Sequence, residues 1–290
     1  MRVGIDLGGT KIEAIAMDDN NDILRRERTE TPQNSYEAIL GAIKALVSSL
    51  EESTDAARAI GIGAPGSISP LGNIMQNCNT TCLNGKNLAS DLQNTLGKPV
   101  RLANDADCFA LSEAKDGAGK GFDTVFGVIL GTGVGGGFVA HGQLLTGPNA
   151  LTGEWGHNPL YQPGPVRTCF CGRVNCVETW ISGPAVAREY NKQNNSNLSA
   201  QEIAVSDEPE AIAAVDRFLE RLSAALGAII NSFDPHCIVF GGGLSNIDRI
   251  YNELPDLTTN HILPSKCRTT FAKAKFGDSS GVRGAAWLWP

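Results

Sequence analysis

The sequence predicts an α/β protein made of two related halves, and two observations carry that prediction. A short apolar strand runs into a glycine turn and out into a second strand twice along the chain, and helical stripes alternate with further strands behind each turn. With an offset of 123 residues, Leu7 and Gly8 fall on Leu130 and Gly131, and Thr10 falls on Gly133, as a duplicated hairpin requires. The 290 residues are enough for one large domain or two ordinary ones with a full core. Against 24 basic residues stand 31 acidic ones, a net charge of −7, which gives no electrostatic basis for gripping nucleic acid along the chain. No apolar run approaches the roughly 18 residues of a membrane span, and the start lacks the apolar region of a signal peptide, so a cytoplasmic protein is expected.

Residues 3–7 (Val3, Gly4, Ile5, Asp6, Leu7) form a buried-type strand, Gly8-Gly9 a turn, and residues 12–17 a second apolar strand. A helix follows over about residues 35–51, with Ile39, Ala42, Ile43, Leu46, Val47 and Leu50 on one stripe. Residues 59–63 return as a strand that ends in Ala64-Pro65-Gly66. After a strand at residues 100–103, a helix starts at Asn104-Asp105 and runs to about Lys115, and the glycine-rich residues 117–121 mark the junction between halves. The second half opens with a strand at residues 125–130, the turn Gly131-Thr132-Gly133 and a strand at residues 137–140. A long amphipathic helix places Ile212, Val215, Phe218, Leu219, Leu222, Leu226 and Ile229 on one face and stops at Asp234-Pro235. The strand at residues 237–240 then runs into Gly241-Gly242-Gly243.

The 33 glycines are clustered, which means backbone brought close to something. A strand feeding a glycine turn exposes successive N–H groups that bind phosphate oxygens. Around the first turn, Asp6, Thr10 and Lys11 add a carboxylate able to hold Mg²⁺ directly or through water, a hydroxyl and a cation, a set suited to a nucleoside triphosphate. The alternative is a tight hairpin whose glycines serve only the turn. Gly131 to Gly136 satisfies G-x-G-x-x-G, but a strand follows where a dinucleotide site needs a helix, so NAD binding is rejected. Neither the P-loop motif nor the protein-kinase set occurs.

His157, Cys169, Cys171 and Cys176 have the types and number of a closed tetrahedral Zn²⁺ site, which is structural rather than water-activating. Reduced cysteines in a turn beside an unrelated histidine are the alternative, and Cys78, Cys82, Cys108, Cys237 and Cys267 are read as reduced packing residues. Asp105 is a candidate general base, yet as the first residue of a helix it is equally a candidate N-cap, a role Asn104 fills as well, and position alone favours the cap. Glu154 and Glu178 flank the metal loop as hydrogen-bond acceptors for a polyol or as solvated charges. His141, His236 and His261 are assigned surface or packing roles.

Taken together, Asp6-Leu7-Gly8-Gly9-Thr10-Lys11, Asn104-Asp105-Ala106, Gly131-Thr132-Gly133, Gly153-Glu154-Trp155-Gly156-His157, Cys169-x-Cys171-Gly172 with Cys176-Val177-Glu178, and Gly241-Gly242-Gly243 resemble the ROK family of bacterial sugar kinases. The resemblance runs over essentially the whole chain. It implies the α/β, two-domain actin/hexokinase-like (ribonuclease H-like) ATPase fold with the active site in the interdomain cleft. Residues 1–116 plus a C-terminal helix over about residues 277–290 would form one domain, and residues 117–276, with the zinc loop, the other. It also implies that the first two glycine tips (Gly8, Gly9, Thr10; Gly131, Thr132, Gly133) hold ATP phosphates, that Gly241, Gly242 and Gly243 lie near the adenosine, and that Asp105 is the catalytic base. Gly66, Asn104, Glu154, His157 and Glu178 would meet the sugar, and the loop metal would be zinc. His157 then serves twice, one ring nitrogen on zinc and the other toward the sugar.

One departure is Asn175, where the family usually has glycine before the last cysteine; asparagine tolerates a left-handed backbone, so the turn is expected to survive. Within the family, Pro65-Gly66-Ser67-Ile68-Ser69-Pro70, Cys82-Leu83-Asn84-Gly85, residues 153–160 and the ending at residues 277–290 look most like fructokinases that also accept mannose. Residues 130–137 and 109–113 are shared with N-acetylglucosamine kinases. The resemblance therefore implies a hexose and ATP as partners, Mg²⁺ and Zn²⁺ as metals, and a homodimer as relatives tend to form, with fructose as the acceptor and N-acetylglucosamine or glucose as the alternative. A repressor relative would carry an N-terminal DNA-binding domain, for which a first strand at Val3 leaves no room; a non-catalytic sugar sensor is the third class.

Overall fold

The computed structural model describes every residue except 53, 264, 265 and 290, and within it the chain lays down two five-stranded sheets of one design. In the first, β1 (Arg2–Leu7), β2 (Lys11–Met17) and β3 (Ile23–Glu30) meander antiparallel. Helix α1 (Tyr36–Glu51) returns the chain to β4 (Ile60–Ala64), parallel to β1. A short pair, β5 (Ser67–Ile68) with β6 (Met75–Gln76), and helix α2 (Leu88–Leu96) lead to β7 (Val100–Asn104), parallel to β4. Helix α3 (Asp105–Lys115) crosses to the second sheet, where β8 (Thr124–Leu130), β9 (Val134–Ala140) and β10 (Gln143–Leu144) repeat the meander. Helices α4 (Glu178–Ile181), α5 (Gly183–Asn194), α6 (Ala200–Ala204) and α7 (Pro209–Phe233) precede β11 (Cys237–Gly241), and α8 (Arg249–Thr259) precedes β12 (Thr270–Lys273). The strand orders, β3-β2-β1-β4-β7 and β10-β9-β8-β11-β12, are the same topology twice, so the repeated hairpin of the sequence is the visible end of a repeated sheet. Helix α9 (Ser280–Ala286) then comes back to pack on β1, β2 and β4 and along α3. Among the described residues no helix is long and apolar enough to cross a membrane.

Local chemistry explains most boundaries. Ser35 caps α1 by accepting the Ala38 N–H, and Ile39, Ile43, Leu46, Val47 and Leu50 bury the expected stripe. Asp234 ends α7 in a left-handed conformation, just before Pro235. Two expectations need correction. Ile212 is 45% exposed, because at the first turn of α7 the covering residues Tyr190 and Ile203 pack on Ala211 and Ala214 instead. The C-terminal helix is shorter than residues 277–290: a 3₁₀ turn at Gly277–Ser279 precedes α9, which ends at Ala286, and Pro290 lies outside the described residues.

Many of the glycines serve helix packing rather than ligands. A Cβ on Gly61 of β4 would stand 1.8 Å from the Ala285 carbonyl oxygen, and one on Gly4 of β1 would stand 2.3 Å from that of Val282. In the second sheet, a Cβ on Gly137 would meet the Ala106 carbonyl oxygen and the Asp107 Cα at 2.9 Å. Gly284 closes the set, its absent Cβ falling 1.6 Å from the Cys108 carbonyl oxygen. Helices α3 and α9 therefore touch each other and both sheets backbone to backbone. Gly284→Ala is expected to lower stability by about 1–3 kcal/mol, since backbone rather than a flexible side chain must move. Chemical denaturation checks this, and an unchanged midpoint would contradict it.

Candidate active site

The N-terminus of α3 gathers the chemistry. Asn104 is the N-cap: its Oδ1 accepts the Ala106 N–H at 2.8 Å, and its Nδ2 donates to the Gly66 carbonyl at 2.6 Å. Gly66 holds a φ of 83°, and a Cβ there would stand 2.5 Å from the Gln76 carbonyl oxygen, so only glycine presents that carbonyl. Asp105 is the first helical residue and engages the same Ala106 N–H through Oδ1 at 2.8 Å. The cap that position favoured for Asp105 thus belongs to Asn104, and Asp105 is an additional acceptor rather than a required one.

Acidic groups from both halves of the chain surround Asp105. Asp6 leaves β1 beside it; burial, then Asp105 and Glu13, push the Asp6 carboxyl up to about 6 against the pull of Lys11. Glu13 lies opposite Asp6 on β2, buried, and pairs with Arg26 at 2.9 Å and Arg28 at 2.8 Å. Burial likewise raises the Asp105 carboxyl, with hydrogen bonds from the backbone N–H of Ala106 and of Asp105 itself opposing. Glu154 is raised by burial, lowered by His157, and raised again by Asp105 and Glu178. Asp105 and Glu154 remain open to solvent on one side while protein crowds the other, as carboxylates on a cleft wall do.

Each glycine hairpin tip is held by its own neighbours, the second partly through Glu178. At the first, the carbonyls of Gly8, Gly9 and Thr10 are drawn away by Thr31 Oγ1 (2.7 Å), Gln33 Nε2 (3.0 Å) and the Thr31 N–H (2.9 Å). At the second, the Gly131 carbonyl accepts the Gly183 N–H at 2.9 Å, and Glu178 Oε2 accepts the Val134 N–H at 3.2 Å. A Cβ on Gly133 would lie 2.6 Å from that same Oε2. Behind it, Gly242 has a φ of 82° and presses on the Leu130 backbone, which sets the Gly241-Gly242-Gly243 turn under the second tip. The strand after Gly131-Thr132-Gly133 is present as β9, as the rejection of a dinucleotide site required.

The four expected metal ligands come together, with all ligand atoms within 4.8 Å of one another. His157 Nδ1 is 3.5 Å from Cys169 Sγ, and the sulfurs of Cys171 and Cys176 are 3.7 Å apart. A tetrahedron with arms of about 2.3 Å has edges of about 3.8 Å, so the set fits Zn²⁺. His157 Nε2 lies 3.9 Å from Glu154 Oε2, so one ring nitrogen faces the cysteines and the other the acidic cluster. Asn175 has a φ of 57°, and its Oδ1 accepts the Arg167 N–H at 2.9 Å. The turn expected at this departure from the family pattern is therefore formed. Arg167 fastens the loop to its helices by donating to the Thr179 carbonyl at 2.8 Å, pairing with Glu189, and lying 3.7 Å over the Trp180 ring.

Sequence reasoning missed Asp107. A cavity of about 780 Å³ opens between the sheets beside α3, walled by Asn104, Asp107 and Glu154 and by Ile68, Leu102, Leu144 and Leu145. Its size is that of a small-molecule site. Burial, with Glu154 and Asp105 nearby, pushes the Asp107 carboxyl up to about 7. The Asn-Asp-x-Asp spacing was the available signal, since the third residue of a helix shares the rim of its N-terminus with the first.

Elemental analysis is expected to give about one Zn²⁺ per chain, and Cys171→Ser to lose it. Asn175→Gly should retain the metal, because glycine reaches the same left-handed backbone. A metal-free native protein with an intact loop would contradict the assignment.

The sequence pattern of the ROK family matches residues 2–290. An N-acetyl-D-glucosamine kinase from Yersinia enterocolitica is 38% identical, the alignment covering 99% of each chain. Among solved structures, a ROK hexokinase from Thermus thermophilus superposes with a TM-score of 0.89 at 28% identity, covering 99% of this chain and 96% of that one. A ROK family glucokinase from Streptomyces griseus, in complex with glucose and AMPPNP, gives a TM-score of 0.79 at 27% identity, with 99% and 98% covered. With the family pattern matched along the chain from residue 2 to its end, and with relatives of similar sequence and fold over their whole length, the chain belongs to the ROK family.

Proposed function

We propose that this chain is an ATP-dependent hexose kinase that phosphorylates the primary hydroxyl of N-acetyl-D-glucosamine. The observation that carries the reaction class is the position of Asp105, whose charge acts on Asp6 at the end of the first hairpin strand and on Glu154 in the second half, where Glu178 holds the second hairpin through the Val134 N–H. The observation that carries the sugar is the 38% identity over 99% of both chains with the Yersinia enterocolitica N-acetyl-D-glucosamine kinase. That relative supports the acceptor named as the alternative in the sequence analysis over fructose and mannose.

In this reading the amides of Gly9 and Thr10 and of Thr132 and Gly133 receive the phosphate oxygens, Gly8 and Gly131 shape the two turns by donating to the Lys11 and Gly133 carbonyls at 3.0 Å, and Gly241, Gly242 and Gly243 border the adenosine. Lys11 adds positive charge, and Asp6 holds Mg²⁺ directly or through water. A bound Mg²⁺ supplies neutralisation of the charge on the transferring phosphoryl group. Asn104, Glu154, His157 and Glu178 accept and donate hydrogen bonds to the ring hydroxyls, with Asn104 fixed by the Gly66 carbonyl. Asp105 then takes the proton of the primary hydroxyl. In a loose transition state that proton moves late, so a carboxylate suffices as base and positioning carries most of the rate.

Asp105→Asn is expected to lower kcat by about 10²- to 10⁴-fold while leaving sugar KM within a few-fold. Because burial raises the Asp105 carboxyl and the base must be ionised, kcat should fall as pH drops through a value above the ~3.9 of an ordinary aspartate, and the Asn variant should lack that limb. Coupled ADP release with N-acetylglucosamine, glucose, mannose and fructose should give the highest kcat/KM with the first. Release with none of them would contradict a kinase, and fructose in first place would overturn the sugar assignment.

A further inference from the structure

The Asp107 carboxylate sits where ordinary helix chemistry does not need it. It is the third residue of α3, but Asn104 and Asp105 already serve the Ala106 N–H, and Asp107 Oδ1 is buried with no hydrogen-bond partner among the described residues. Such an acceptor calls for a donor. The β9 backbone closes in behind, a Cβ on Gly137 falling 2.9 Å from the Asp107 Cα, and although Oδ1 itself is closed off from solvent, the residue also lines the cavity. The cavity wall combines polar groups, Asn104, Glu154, Arg101 and Lys115 among them, with the apolar side chains of Ile68, Leu102, Leu144 and Leu145. A ligand that pairs a donor with a hydrocarbon group matches such a wall, and on an acylamino sugar that pair is the amide N–H and the acyl chain on C2.

We propose that Asp107 and the apolar side chains of the same cavity form the subsite for the C2 substituent of the sugar, Asp107 accepting the amide N–H and the leucines and Ile68 lining the space of the acyl chain. This rests on the reading of the chain as an N-acetylglucosamine kinase. Asp107 is then a substrate-contacting residue that sets specificity, while Asp105 does the proton transfer. A cavity of about 780 Å³ has room for an acyl chain longer than acetyl.

Steady-state kinetics of the full chain with N-acetylglucosamine and N-butanoylglucosamine test it. The wild type is expected to use both with kcat/KM within about tenfold. Asp107→Ala should raise sugar KM at least tenfold, as loss of a charge-assisted hydrogen bond does, with kcat and the ATP KM within about threefold. Asp107→Asn, which keeps an acceptor, should recover most of that loss. Leu145→Trp, at a position 41% exposed and so free of the core, should depress turnover of N-butanoylglucosamine at least tenfold more than that of N-acetylglucosamine. An unchanged sugar KM in Asp107→Ala, an Asn variant as impaired as Ala, or equal effects of Leu145→Trp on both sugars would overturn the subsite. Wild-type protein that phosphorylates neither acylamino sugar overturns the functional reading itself, and the proposal with it.

Discussion

Direct backbone contact between helix α3 and its surroundings is the constraint from which the rest of the structure follows. The helix links two sheets of identical topology, and it lies close enough to β9 and α9 that Gly137 and Gly284 have no room for a side chain. Closeness of this kind removes slack. The first residue of α3 is therefore placed to within the tolerance of van der Waals contact, and that residue is Asp105. The two hairpin tips inherit the same precision, since β1 packs on α9 and β9 on α3.

Electrostatics explains why such stiffness is useful. Burial raises the carboxyls of Asp6, Asp105, Asp107 and Glu154, and the charge of Asp105 adds to the rise of the other three, so the cluster disfavours its own ionisation and gains from any ligand that brings donors or positive charge. Hydroxyls of a sugar and a divalent cation are such ligands, whereas a bare triphosphate is repelled. Lys11 at the first tip and the amides of both tips are the compensating positive elements. The histidine-cysteine loop adds a second means of placement, because His157 is gripped through Nδ1 on the cysteine side and presents Nε2 to Glu154.

Much of this was legible in the sequence, for reasons that differ by residue. The hairpin strands announce themselves as short apolar runs because they are buried on both faces, and α1 and α7 because one face is buried and their apolar period is intact. His157, Cys169, Cys171 and Cys176 are legible as a candidate metal set through residue type and spacing, and in the structure they meet in space. Strand β3 left no such signal: it is an edge strand whose Arg26 and Arg28 reach over to the buried Glu13, so its sequence reads as polar. Ile212 is in phase with its helix and still exposed, because phase says nothing about where the covering layer ends. The glycines at positions 4, 61, 137 and 284 are indistinguishable in sequence from those at hairpin tips; only the partner backbone tells packing from ligand binding. Asp107 was hidden by Asp105, two positions away on the same helix start.

The most direct test is a crystal structure of the wild-type protein with a non-hydrolysable ATP analogue, Mg²⁺ and N-acetyl-D-glucosamine. The account predicts the β- and γ-phosphates between the Gly8-Gly9-Thr10 and Gly131-Thr132-Gly133 tips, and an Asp105 carboxylate oxygen about 3 Å from the primary hydroxyl of the sugar. Phosphates bound away from both tips, or an Asp105 side chain turned from that hydroxyl, would contradict it.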